Sequence, residues 1–125
     1  MRILLSLTPV ANRLDAMSAL VTELLGRDHE VVVYGRGSER ERFAASGAHF
    51  VAWQEATDAG DHDGRARDLV ALIDRAGFDR LVGDHVSPEV AIAGEGTGIA
   101  WMACPESSAS AGTTADLVER AARLG

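Results

Sequence analysis

An aspartate and a histidine stand side by side at Asp84-His85, directly after an apolar run, with Ser87 two residues on. Imidazole titrates near neutral pH and suits proton transfer, and a carboxylate can orient a donor beside it. Pro9, Asn12 and Arg13 follow the first apolar run of the chain, and Glu106 and Ser107 follow the last. Arginine stays protonated, so Arg13 can hold an anion, especially at a helix start, but cannot serve as a base. Each residue also has a plainer reading. Asp84 can be a helix-capping acid, His85 a solvated rim histidine, and Arg13 a surface arginine.

These residues are far apart in sequence, so regular elements must bring them together. Residues 2–7 are an apolar strand candidate, and 12–26 place Leu14, Met17, Leu20, Val21, Leu24 and Leu25 at helical spacing. Three consecutive valines in 30–34 fit a strand buried on both faces. Ser38-Glu39-Arg40-Glu41 reads as a capping box opening a helix over 38–46 that Gly47 ends, and 48–53 is a third strand. A polar loop follows at 54–64. A helix over 63–76 turns Leu69, Val70, Leu72 and Ile73 inward and stops at Gly77, and 79–84 is a fourth strand. Ser87-Pro88-Glu89 is a helix start: serine as cap, proline in the first turn, an acid at the positive end of the dipole. That helix runs to about 96–98, weakened by Gly94, before a strand at 99–104, a loop at 105–112 and a closing helix at 113–124 capped by Thr113.

Strand and helix thus alternate five times, which means a parallel sheet covered on both faces with right-handed crossovers. The expected fold is α/β: one doubly wound, Rossmann-like, five-stranded parallel sheet of order 3-2-1-4-5, with residues 1–125 as a single domain. Ligands of such sheets bind outside the carboxyl ends of the strands, where the strand order reverses. That switch brings the 8–13 loop against 84–87, which makes Asn12, Arg13, Asp84, His85 and Ser87 the main candidates.

Composition removes several functions. The net charge of −7 disfavours nucleic acid and anionic membranes, which need a basic surface. All 12 basic residues are arginine, so lysine Schiff-base and P-loop chemistry are absent. Cys104 is the only cysteine, which rules out an intrachain disulfide and fits a reducing compartment. No apolar run approaches the ~20 residues of a membrane span, and the N-terminus reads as a buried strand. A cytoplasmic location is expected.

Several stretches resemble one family. Arg27-Asp28-His29-Glu30-Val31-Val32-Val33 matches the "GHEV"-like strand start of bacterial GT-B glycosyltransferases of natural-product and UDP-glycosyltransferase type. Phe43-Ala44-Ala45-Ser46-Gly47-Ala48-His49-Phe50-Val51 is similar to that family's helix-end "AAG" and following strand, and residues 79–102 to its "PDLVVHD…A…A…LGIP" segment. The resemblance implies the N-terminal, acceptor-binding domain without the C-terminal nucleotide-sugar domain. In the family a histidine before the first helix deprotonates the acceptor hydroxyl. Counting back from His29 puts Arg13 at that position and Asn12 at the preceding glycine. The resemblance then implies that Asp84 orients a partner group and that His85 offers an alternative base. Pro9, Asn12, Arg13, Ser87, Glu106 and Ser107 would contact the acceptor.

Another reading comes from Gly35-Arg36-Gly37-Ser38-Glu39-Arg40, placed where NADP-dependent folds set arginine and serine on the 2′-phosphate. The 8–13 loop, however, contains no glycine for the pyrophosphate turn. Asp58, Asp61, His62, Asp63 and Asp68 read as a solvated acidic loop more readily than a cation site, Cys104 as small core filling, and Trp53 and Trp101 as packing residues. His29 falls on the opposite rim. The leading expectation is a glycosyltransferase-like acceptor-binding half or accessory subunit. It would act on a small hydrophobic acceptor with a donor-binding partner, or as a homodimer. Hexosyl transfer would need that donor half, and the chain alone would not turn over. No resident cofactor or metal is expected; a nucleotide-sugar would be the co-substrate of the complex. The alternatives are a non-catalytic small-molecule or protein-binding module of degenerate fold, and a small NADP-binding domain.

Overall fold

The computed structural model describes residues 1–7, 14–52, 62–83 and 88–103. Among them are strands β1 (Arg2–Ser6), β2 (Glu30–Gly35), β3 (His49–Ala52), β4 (Arg80–Gly83) and β5 (Ala100–Ala103), and helices α1 (Leu14–Gly26), α2 (Arg40–Ala44), α3 (His62–Ala76) and α4 (Pro88–Thr97). The strands form one sheet of order β3-β2-β1-β4-β5, and every neighbouring pair is parallel. The expected fold and strand order are therefore observed. The closing helix expected at 113–124 lies outside the described residues.

Alternation along the strands sorts the core into two layers. Ile3, Leu5, Leu7, Val31, Val33 and Val82 meet Met17, Leu20, Val21 and Leu24 of α1 and Phe43 of α2. Leu4, Tyr34 and Leu81 meet Leu69, Leu72 and Ile73 of α3 and Val90 and Ala93 of α4. The central strands supply residues to both layers, which explains the unbroken valine run of β2. Each fully buried leucine or valine contributes roughly 1.5–3 kcal/mol.

The amino edge of the sheet is closed by Arg2. Its Nε lies 2.8 Å from the Glu30 carboxylate, and its Nη1 donates to the carbonyls of Ala76 and Gly77 at the end of α3. Its guanidinium also sits 5.0 Å from the centre of the Phe78 ring. One side chain thus satisfies carbonyls that a helix end leaves without partners while holding α3 to β1 and β2. His29 lies on this same edge, its Nδ1 3.1 Å from the Met1 amino nitrogen.

One local expectation is corrected. The 38–46 segment is not a single helix opened by Ser38 and Glu41. A 3₁₀ turn, Gly37–Glu39, precedes α2. Its start is closed two residues earlier, where the Arg36 backbone N–H donates to Glu39 Oε1 at 2.9 Å. The tight turn brings Glu39 back over Arg36 and leaves Glu41 in the first turn of α2.

Gly94, which weakens α4 by propensity, has a packing reason. A Cβ at this position would stand inside van der Waals distance of the Trp101 indole on β5. Trp101 packs on the α3/α4 layer, and its Nε1 donates to Glu95 at 3.2 Å. The packing reading of Trp101 holds. Substituting Gly94→Ala adds helix propensity of up to ~1 kcal/mol but overpacks by about 1–3 kcal/mol. The expected result is a net loss of roughly 1 kcal/mol in urea unfolding; a more stable variant would show that the indole moves freely.

Candidate functional site

Helices α3 and α4 both return from the carboxyl edge of the sheet towards its amino edge, so their first turns lie at the carboxyl rim. There the chain buries charge. Arg65, in the opening turn of α3, and Glu89, second residue of α4, are both fully inaccessible, with Nε and Oε1 3.1 Å apart. Beside them the Tyr34 hydroxyl, near the end of β2, donates to Asp68 Oδ2 at 2.6 Å. Burial first, then the Asp68 carboxylate as acceptor and as charge, push the Tyr34 phenol far above its ordinary value; Arg65 opposes the shift and Glu89 adds to it.

Sheet register sets Ser6 between these groups and β4. Ser6 pairs with Tyr34 on one side and with Gly83 on the other, at the reversal of strand order between β1 and β4. Its side chain falls on the same face as Leu4, the α3/α4 face. Ser6 is fully buried, and among the described residues its Oγ has no hydrogen-bond partner. Ser6, Tyr34, Arg65 and Glu89 together form a buried polar cluster under the first turns of α3 and α4. A separate cavity of about 240 Å³ lies between α3 and strands β2 and β3, lined by Tyr34, Val51, Ala52, Asp68, Ala71, Leu72 and Arg75.

The turn after β2 is less suited to a phosphate. The Arg36 N–H is already held by Glu39, whose carboxylate places negative charge where a 2′-phosphate would sit. Gly35 packs closely: a Cβ there would meet Leu7 Cδ1 at 2.8 Å and the Leu7 side chain would have to shift. Among the described residues no group of three or more His, Cys, Asp or Glu side chains is placed to hold a metal ion.

No protein-family model matches the sequence, and no curated protein matches it as a relative. Solved structures do. The glycosyltransferase VinC, in complex with dTDP, superposes with a TM-score of 0.68 at 19% identity, over 96% of this chain and 38% of its own. The spinosyn forosaminyltransferase SpnP gives 0.68 at 17% identity, over 84% and 31%. MurG of Acinetobacter baumannii gives 0.64 at 12% identity, over 98% and 39%. The chain resembles one part of a GT-B glycosyltransferase. At these identities the likeness is one of fold, and the chain spans only 30–39% of the length of such neighbours.

In this GT-B-like frame the candidates Pro9, Asn12, Arg13, Asp84, His85, Ser87, Glu106 and Ser107 all lie outside the described residues, as do Asp58, Asp61, Trp53 and Cys104. The ends of β1 and β4, from which the 8–13 and 84–87 segments leave, are adjacent: Ser6 pairs with Gly83. Of the acidic residues near 63, Asp63 is exposed on α3 and Asp68 binds Tyr34. The sequence reading missed the Arg65–Glu89 pair and took Glu89 only as a dipole acid. One signal was available: Arg65 falls on the Leu69–Leu72–Ile73 stripe, one turn upstream, where an inward-facing cation needs a buried partner.

Two measurements follow from this cluster. Tyr34 is the only tyrosine, so absorbance at the tyrosinate band reports it alone. The folded phenol keeps its proton above the unfolded value of about 10, so stability must fall as pH rises beyond that point. Tyrosinate should appear only together with unfolding; a reversible titration of the native state near the ordinary phenol value would refute the burial. Separately, Glu89→Gln should cost about 3–5 kcal/mol by removing the carboxylate from a buried guanidinium, whereas Arg65→Met with Glu89→Leu should recover most of it. Equal losses in both variants would count against a buried ion pair.

Proposed function

We propose that the chain is a single-domain, acceptor-binding half or accessory subunit of a glycosyltransferase-like system acting in the cytoplasm. It presents a small hydrophobic hydroxyl compound above the carboxyl ends of β1 and β4. A donor-binding half outside these 125 residues holds the activated nucleotide-sugar. One observation carries this reading: the fold match covers 83–98% of this chain but only 30–39% of the neighbouring transferases. The likeness to transferases of natural-product pathways supports a natural-product acceptor, and dTDP bound to VinC makes a dTDP-sugar the first donor to test.

In this reading Asp84 orients the acceptor hydroxyl and His85 takes its proton, because Arg13, permanently charged, stands where the family keeps its base. Pro9, Asn12, Arg13, Ser87, Glu106 and Ser107 contact the acceptor. Ser6 and the Tyr34–Asp68 pair lie beneath this surface, and Arg65–Glu89 fixes the first turn of the helix that follows 84–87.

Calorimetric titration of the chain against a panel of small hydrophobic alcohols and phenols, with dTDP and NADPH as controls, tests this. Acceptor-class compounds should bind and neither nucleotide should. Asp84→Asn should weaken that binding about tenfold, the scale of one charged hydrogen bond, with an unchanged melting temperature. Acceptor binding that ignores Asp84→Asn would remove the site assignment. Saturable NADPH binding would instead favour the dinucleotide alternative.

A further inference from the structure

Helix α3 carries apolar residues beyond its core face. Leu69, Leu72 and Ile73 point into the core, while Ala66, Val70 and Ala71 line an open groove of about 450 Å³ together with Ile92 of α4. Ile92 is 48% exposed, one of only two large exposed hydrophobics among the described residues. Asp63, Arg67 and Asp74 stand around the same groove. All three are exposed, and none is engaged in an ion pair among the described residues. An apolar groove between unpaired charges of both signs is the surface pattern of a contact that pairs those charges with another molecule.

We propose that this groove is the contact between two copies of the chain, related by a two-fold axis through α3 between Val70 and Ala71. An isologous contact must be complementary to itself, each residue meeting its counterpart's neighbour and the reverse. Packing α3 antiparallel on its copy about that point does this. Val70 meets Ala71 of the partner subunit, Arg67 meets Asp74 of the partner subunit, and symmetry makes both pairs twice. Ala71 is exposed and small enough for two helices to approach to the usual 8–10 Å. Ile92 of each copy covers the flank of the groove. A dissimilar partner would need no self-matching order of charges; this helix has one. The contact is centred on Val70 and Ala71, on the outer face of α3, and does not depend on the transferase reading.

Sedimentation of the whole chain tests the contact. The wild type should run at twice 13.2 kDa at micromolar concentration. Arg67→Asp and Asp74→Arg should each run at the single mass, with association weakened by on the order of a hundredfold, because each reversal sets like charges together twice. Both sites are exposed, so circular dichroism should match the wild type. An equimolar mixture of the two variants should return the double mass, since the reversals complement each other across the axis. A wild type of single mass at every concentration would overturn the proposal. So would a double mass that survives both reversals, or a mixture that stays at the single mass.

Discussion

Among the described residues, the buried pair of Arg65 and Glu89 is the interaction that ties α3 to α4 on the carboxyl side of the sheet. Two helices on one face of a parallel sheet present their N-termini side by side, and the positive ends of their dipoles repel. A guanidinium beside them would add to that field. Glu89 resolves the conflict, because its carboxylate sits in the first turn of α4 and meets Arg65 of α3 at 3.1 Å. Its charge therefore faces two dipoles and one cation. Desolvation of two charges consumes much of this gain, and an apolar pair could match it in stability. What an apolar pair lacks is direction. A charged hydrogen bond of fixed length sets the height of α3 against α4, where leucines would allow sliding.

That height matters because of what hangs from it. Gly83 ends β4 beside Ser6, and Glu89 lies at the start of α4. The sheet fixes Gly83 and the ion pair fixes Glu89, the two described positions that flank 84–87 in the sequence. Tyr34 and Asp68 extend the same network to β2 and α3. The opposite edge is built differently. Arg2 there binds Glu30 and the carbonyl end of α3 in a more exposed setting, where ion pairs are screened and individually weak. Helix α3 is thus tethered at both ends, by a buried pair at its first turn and by exposed contacts at its last.

The fold was readable because its signals are local and repeated. The valine run of β2, the leucine spacing of α1 and the Ser87-Pro88-Glu89 start each name an element from a few residues, and alternation then leaves one strand order. The site was less readable because its decisive contacts join distant residues. Nothing near Arg65 names Glu89, 24 positions away, although an arginine on an apolar stripe signals a missing counter-charge. The turn at Gly37–Glu39 failed for a different reason. Ser38 and Glu41 satisfy the capping pattern, but Arg36 and Glu39 close a tighter turn first. Gly94 shows the reverse case, where a residue that propensity marks as a defect is the one that admits Trp101.

Helix α3 shows how the pieces depend on one another. Arg65 faces the ion pair, Asp68 the tyrosine, Leu69 and Ile73 the core, and Ala66 and Ala71 the outer groove. Its 15 residues thus serve four different neighbours, with Asp63, Arg67, Asp74 and Arg75 left exposed. A helix in that position cannot rotate to relieve strain on one side without losing contacts on another. The helix that builds the core on this face also carries the charge buried between α3 and α4.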